Sequence, residues 1–291
     1  MATPNGSKPV APTSQYFIST PSQPSIPRLC VSAEGLEKRG KTHWALKTTP
    51  DPVAIAYNDP GTETQIREAI AEGRQIIAMK LEYEVPDPAI IKPADVDKIE
   101  HAAWKKEWER FKAAMKAVKE DKSIRTLVWD TGTEIKNLCE LAYFGKSRGN
   151  IQQNIRTEMN SDFSRTFWDL YNHRLDLNMV LIHKTAKEYK KSANATNPNA
   201  MADWTGNYER KGFNDIGFMV DMAVRFEWDR FVKDFYTELD GNQAARFKNA
   251  TALIGTKWYG KHPTDPSAFW NLAMAIFPET ESTPEYWGVE L

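Results

Sequence analysis

Apolar residues recur in two rhythms along this chain. Between Asp95 and Lys119, Trp104, Trp108, Phe111, Met115 and Val118 step by four, three, four and three, the period of one helical face. The Lys and Glu residues between them form a solvated side, so the stripe is read as packing against a sheet rather than as an aromatic binding platform. Elsewhere the apolar residues gather in short runs bounded by turn formers. Residues 29–31 make one such run, ending in a turn at 32–35, and residues 53–57 make a second, closed by Asn58, Asp59, Pro60 and Gly61. Residues 75–81, 126–129 and 179–182 supply three more. Helical sequence separates them, from about Lys41 to the turn formers at 49–52 and again over 62–72.

Strand alternating with helix through His183 implies βαβ crossovers and a mainly parallel sheet. Beyond that point residues 222–227, 230–236 and 252–256 read as consecutive strands, with Asp240 and Gly241 as a hairpin signal. The predicted fold class is therefore α/β, a mainly parallel sheet flanked by helices and extended by C-terminal antiparallel strands. Residues 1–26, rich in Pro, Ser, Thr and Gln, are expected to form a flexible tail, residues 27–277 the domain, and residues 278–291 a loose second tail with an acidic end.

Composition narrows the partners. With 41% hydrophobic residues the chain has material for one large core, and its formal net charge of -1 gives no overall field toward nucleic acid or an anionic membrane. Contact with nucleic acid must then be local. The two cysteines, Cys30 and Cys139, show no paired spacing, which fits a reducing compartment and two buried small side chains. No run has the length of a membrane span and the N-terminus lacks a signal-peptide pattern, so a cytoplasmic protein without a membrane partner is expected.

One segment changes the picture. Gly35, Leu36, Glu37, Lys38, Arg39, Gly40, Lys41 and Thr42 form a complete G-x-x-x-x-G-K-[ST] phosphate loop, placed after a strand and opening a helix. A chance match in a chain of this length is on the order of one in a hundred, before that context is required. The glycines let backbone N–H groups close around phosphate oxygens, and the helix N-terminus adds its positive end. Lys41 reaches the β and γ phosphates and Thr42 ligates magnesium, so the implied ligands are ATP and Mg2+. Leu36, Glu37, Lys38 and Arg39 stand where small residues are usual in this loop.

A second element is an apolar strand ending in Asp130, the candidate Walker B carboxylate, expected to hold a magnesium-bound water. For the base or water-orienting group there are two candidates, Asp59 at the end of the second strand and Glu63 one helical turn on. Each has a structural alternative, Asp59 as a turn residue and Glu63 as a first-turn helix charge. His183 ends the run 179–182 and is the candidate γ-phosphate sensor; the remaining histidines show no zinc-ligand spacing. After it a polar stretch reaching Lys211 reads as a long loop. There Lys184, Lys187, Lys190 and Lys191, with Tyr189 and Trp204 nearby, offer phosphate contacts and base stacking to single-stranded DNA, or else form a solvated charged loop.

The order of these parts over residues 27–262 resembles the RecA superfamily, in particular the short phage-encoded RecA-core ATPases of the Sak type, relatives of RadA reduced to the motor domain. The resemblance implies ATP-dependent binding of single-stranded DNA, self-assembly into rings or filaments, a role in recombination or annealing, and a single-strand-binding protein as a further partner, in the cytoplasm of a host cell. The family's polar sensor matches His183 and its acidic residue after the second strand matches Asp59. Residues 256–261 resemble the basic segment that reaches a neighbouring subunit's ATP site; Lys257 and Lys261 match its charge, while Trp258 stands where arginine is frequent. A nucleotide-gated assembly protein with little hydrolysis and a small-molecule kinase are the competing readings.

Overall fold

The structure, a computed structural model, describes residues 28–83, 98–145, 153–190, 203–210, 220–229, 234–239, 257–259, 268–277 and 283–287. Strand β1 (Cys30–Gly35) leads to α1 (Lys41–Thr48), β2 (Val53–Tyr57) to α2 (Pro60–Ala71), and β3 (Ile76–Lys80) to α3 (Lys98–Glu120). Strand β4 (Thr126–Asp130) is followed by two helices, α4 (Gly132–Phe144) and α5 (Gln153–His173), before β5 (Asn178–Lys190) and β6 (Asp203–Arg210). Strands β7 (Met222–Asp229), β8 (Asp234–Leu239) and β9 (Lys257–Tyr259), then α6 (Ala268–Ile276) and a 3-10 turn (Pro284–Trp287), complete the described chain.

The sheet runs β3-β2-β4-β5-β1-β7-β8-β9. Strands β3, β2, β4, β5, β1 and β7 pair in parallel, β8 is antiparallel to β7, and β9 is antiparallel to β8. This is the predicted class, a parallel core with an antiparallel extension. Alternate residues of each strand feed two cores. On one face Cys30, Ala54, Leu127, Trp129, Met179 and Leu181 pack with α3, α4 and α5, whose stripe Trp104, Trp108, Phe111, Met115 and Val118 is buried as its spacing predicts. On the other, Val31, Ala33, Ile55, Val128, Val180 and Ile182 pack with α1, α2 and α6.

Several boundaries differ from the sequence expectation. Strand β1 does not turn at Ser32 but continues to Gly35, because Ser32 and Glu34 are polar yet buried, and the Ser32 hydroxyl donates to Glu34 Oε1 at 2.9 Å. The stretch after His183 is not a loop throughout. Strand β5 continues to Lys190, and its outer half pairs antiparallel with β6 in a two-stranded ribbon. Of the expected strand 230–236, residues 234–236 lie in β8, which pairs antiparallel with β7, and residues 230–233 lie outside the described residues. Asp240, Gly241 and the expected strand 252–256 lie outside the described residues, as do the N-terminal residues 1–27. Nor is the C-terminal stretch loose throughout. Trp287 is fully buried against Phe269, and the Tyr286 hydroxyl donates to the Asp176 carbonyl at 3.1 Å, so two aromatic rings hold the 3-10 turn onto the second core.

Among the described residues no helix is long and apolar enough to cross a membrane. Both cysteines are free and buried, and burial pushes the Cys139 thiol well up from its ordinary value.

Candidate nucleotide site

Parallel strands end together at one edge of the sheet, and the register aligns what they carry. Gly35 of β1 lies opposite Lys184 of β5, Asp130 of β4 opposite Ile182 of β5, and Tyr57 of β2 opposite Asp130. The loops leaving β1, β2 and β4 therefore open into one crevice at the carboxyl ends of the strands, the usual ligand position in an open α/β sheet.

The loop from Gly35 to Lys41 is built by backbone geometry that few residues tolerate. Gly35 has φ 147°, and a Cβ there would meet the Phe226 carbonyl of β7 at 2.5 Å. Gly40, at φ 84°, turns the chain into α1, whose first turn receives no side-chain cap and so leaves its N–H groups for an anion. Lys38 also takes a positive φ of 58°. The Lys41 ammonium folds back over the loop, donating to the Gly35 carbonyl at 2.8 Å and the Leu36 carbonyl at 2.6 Å. It is thus held over the space enclosed by the loop.

Asp130 is buried at the head of this crevice. Its Oδ2 accepts from the Thr42 hydroxyl at 3.0 Å and the Thr62 hydroxyl at 2.7 Å. Burial raises the carboxyl above its ordinary value; the two hydroxyl bonds and the Lys41 charge pull the other way, and the nearby Asp59 adds to the rise. The peptide from Asp130 to Thr131 is cis. A divalent cation here fits the donors present: a loop threonine, a buried carboxylate one hydrogen bond away, and a phosphate site beside both. Among the described residues no group of three or more His, Cys, Asp or Glu converges.

The two base candidates diverge. Asp59 caps α2, its Oδ1 accepting from Gly61 N–H at 2.8 Å, with Pro60 in the first helical turn. Glu63 is turned to the edge of the sheet, where it ion-pairs with Lys80 of β3; that hydrogen bond holds its carboxyl below the ordinary range. His183 is fully buried, and its ring lies against the start of α4, where a Cβ on Gly132 would come within 2.8 Å of His183 Cε1.

The lysines after His183 have separate fates. Lys184 pairs with Glu134 of α4 at 2.9 Å. Lys187 stands on the ribbon with its ammonium 4.8 Å from the Trp204 ring centroid, and Tyr189 lies opposite Trp204, with the two rings 56% and 48% exposed. Lys190 ends β5 opposite Asp203, and Lys191 lies outside the described residues. Lys257 opens β9, and Lys261 is again outside.

Two partners at the crevice escaped the sequence reading. Thr62 carries no motif, and only the fold brings its hydroxyl to Asp130. Glu134 had a signal, because Thr131-x-x-Glu134 has the spacing of a capping box, and Thr131 Oγ1 does accept from Glu134 N–H at 3.2 Å.

The arrangement is a mainly parallel α/β sheet flanked by helices, with the G-x-x-x-x-G-K-[ST] segment at the carboxyl end of β1. Among solved structures the chain is similar to a RadB recombinase, with 13% identity, 80% of this chain and 87% of that one covered, and a TM-score of 0.40. It is also similar to an ATPase from the type III secretion system of pathogenic bacteria, with 11% identity, 71% and 53% covered, and a TM-score of 0.35. No protein-family model matches the chain, and no curated protein sequence does.

Proposed function

We propose that the protein binds ATP with magnesium in the crevice between β1, β4 and β5, hydrolyses it, and acts on single-stranded DNA. The observation that carries this reading is the hydrogen-bonded contact between Thr42 of the phosphate loop and the buried Asp130, with the Lys41 ammonium held over the same loop. Lys41 and the α1 N–H groups would hold the phosphates, and Thr42 with Asp130 would hold magnesium, which when bound neutralises charge developing on the transferred phosphoryl group. Asp59 is the favoured base over Glu63, since its charge is felt at Asp130 while Glu63 is engaged by Lys80.

The ribbon supports the DNA part of the reading. It presents Lys187 over Trp204 and the exposed Tyr189, a cation with two stacking surfaces at the end of a strand that passes the phosphate loop at Lys184. Lys190 and Lys191 would add phosphate contacts. Self-assembly through Lys257 and Lys261, and a single-strand-binding partner, belong to the same proposal and rest on the resemblance alone.

A nucleotide-gated assembly protein with little hydrolysis is the second reading, favoured by the commitment of Asp59 to capping α2. Measuring ATP hydrolysis with and without single-stranded DNA separates them. Turnover stimulated by DNA and abolished by Lys41→Ala supports the ATPase; nucleotide binding without turnover supports the gated assembly; undiminished hydrolysis in Lys41→Ala removes the loop assignment.

A further inference from the structure

Strand alternation decides which residue at the end of β5 faces the phosphate loop. Met179 and Leu181 belong to the core under α3, α4 and α5, whereas Val180 and Ile182 belong to the core under α1, α2 and α6. Continuing that alternation, His183 falls on the first face, in keeping with its ring against Gly132 of α4, and Lys184 leaves the strand on the second, its ammonium reaching over the strand end to Glu134 in the first turn of α4. The second face is also that of Gly35, which continues Val31 and Ala33, and of Asp130, which continues Val128.

Lys184 lies directly opposite Gly35 in the neighbouring strand, a separation of about 4.8 Å between strands. Its side chain is 38% exposed, and its ammonium is held by Glu134 at 2.9 Å. Burial works against the charge on Lys184, but the hydrogen bond and charge of Glu134, joined by the charges of Asp59 and the loop residue Glu37, outweigh it and raise the pKa. Lys184 thus sets a cation beside the phosphate loop, held by the Glu134 carboxylate.

We propose that Lys184, and not His183, is the residue of β5 that reads the terminal phosphate of a bound nucleoside triphosphate, with Glu134 holding it when that phosphate is missing. The exchange is one of ion-pair partners and breaks no covalent bond. A triphosphate brings a further negative oxygen group that competes with Glu134 for the ammonium, while a diphosphate leaves Lys184 on Glu134. Thr185, the next residue, is the first of β5 to pair with β6, so the exchange occurs at the root of the ribbon. This role for Lys184 rests on the nucleotide-binding reading given above.

Equilibrium binding of a non-hydrolysable ATP analogue and of ADP, both with magnesium, tests it through the ratio of the two affinities. Lys184→Met should lower the triphosphate preference by about tenfold or more, the loss of one charged hydrogen bond, while ADP still binds. Lys184→Arg should restore most of the preference, Glu134→Gln should increase it, and His183→Asn should leave it near that of the unmodified protein. An unchanged ratio in Lys184→Met, or a loss confined to His183→Asn, overturns the assignment. A ratio unchanged or lowered in Glu134→Gln overturns the holding role independently of how well Lys184→Met folds. Absence of binding of either nucleotide to the unmodified protein overturns this inference together with the nucleotide reading, whereas binding of both with an unchanged ratio leaves that reading standing.

Discussion

Strand β5 has two halves in opposite surroundings. From Asn178 to His183 it lies between β4 and β1 and every residue is buried; from Thr185 onward it pairs with β6, and the side chains from Lys184 to Tyr189 are partly or largely exposed. The inner half is tied to the fold by apolar burial, so its residues are fixed by packing. The outer half holds lysines and aromatic rings that contribute little to the core, which leaves them available to a ligand. Lys184 marks the change, beside the phosphate loop on one side and the ribbon on the other.

The largest expected contrast is in stability. Leu181→Ala, in the inner half, should cost about 2–5 kcal/mol of unfolding free energy, read from the urea midpoint at unchanged slope. A loss well below that would mean the site collapses freely and the inner half is less tightly packed than its burial implies.

Next in size is the ribbon's effect on DNA. Trp204→Ala should weaken single-strand binding by about 1–3 kcal/mol if the ring stacks on one base. Replacing Lys187, Lys190 and Lys191 with Ala should in addition flatten the salt dependence, by about 0.7 in log-log slope for each phosphate no longer neutralised. Unchanged binding and slope would place any DNA site off the ribbon.

Asp130 carries a stability cost. Because burial raises its pKa in the folded chain above the unfolded value, the folded state binds that proton more tightly. Stability is therefore highest below the ordinary carboxyl value and falls as pH rises through the window up to the raised one. Asp130→Asn removes the buried charge and still accepts from Thr42 and Thr62, so without metal it should melt above the unmodified protein at neutral pH, the gap closing in acid. Magnesium-dependent hydrolysis should fall more than nucleotide binding in the same variant. A lower melting point at neutral pH would contradict a net cost of burying this charge.

The smallest effect is expected at Tyr189. Tyr189→Ala, in the outer half of β5, should change stability by less than about 0.5 kcal/mol, and a larger loss would show that the ribbon packs against the body of the domain.

The same division explains what could be read without a structure. Strand β2 was legible to the residue at Val53–Tyr57, since an apolar run between turn formers has few other fates. Strand β1 was cut short because Ser32 and Glu34 are buried through hydrogen bonding, which hydropathy does not register. The ribbon was read as loop because Lys184 to Lys190 is polar, and its pairing is with residues some 20 positions away. Packing of Trp287 was hidden by the acidic residues around it, and the Lys184–Glu134 pair joins positions 50 apart in sequence. His183 was read as the candidate sensor from its place at the end of an apolar run, which does not reveal the face it takes.

Calorimetric titration of the unmodified protein and of Lys41→Ala with ATP, in the presence and absence of magnesium, tests the central claim most directly. Saturable binding by the unmodified protein should tighten with magnesium, and it should be lost in a Lys41→Ala variant that keeps its fold by circular dichroism. Equal, magnesium-independent affinity in the two proteins would contradict a phosphate loop at residues 35–42.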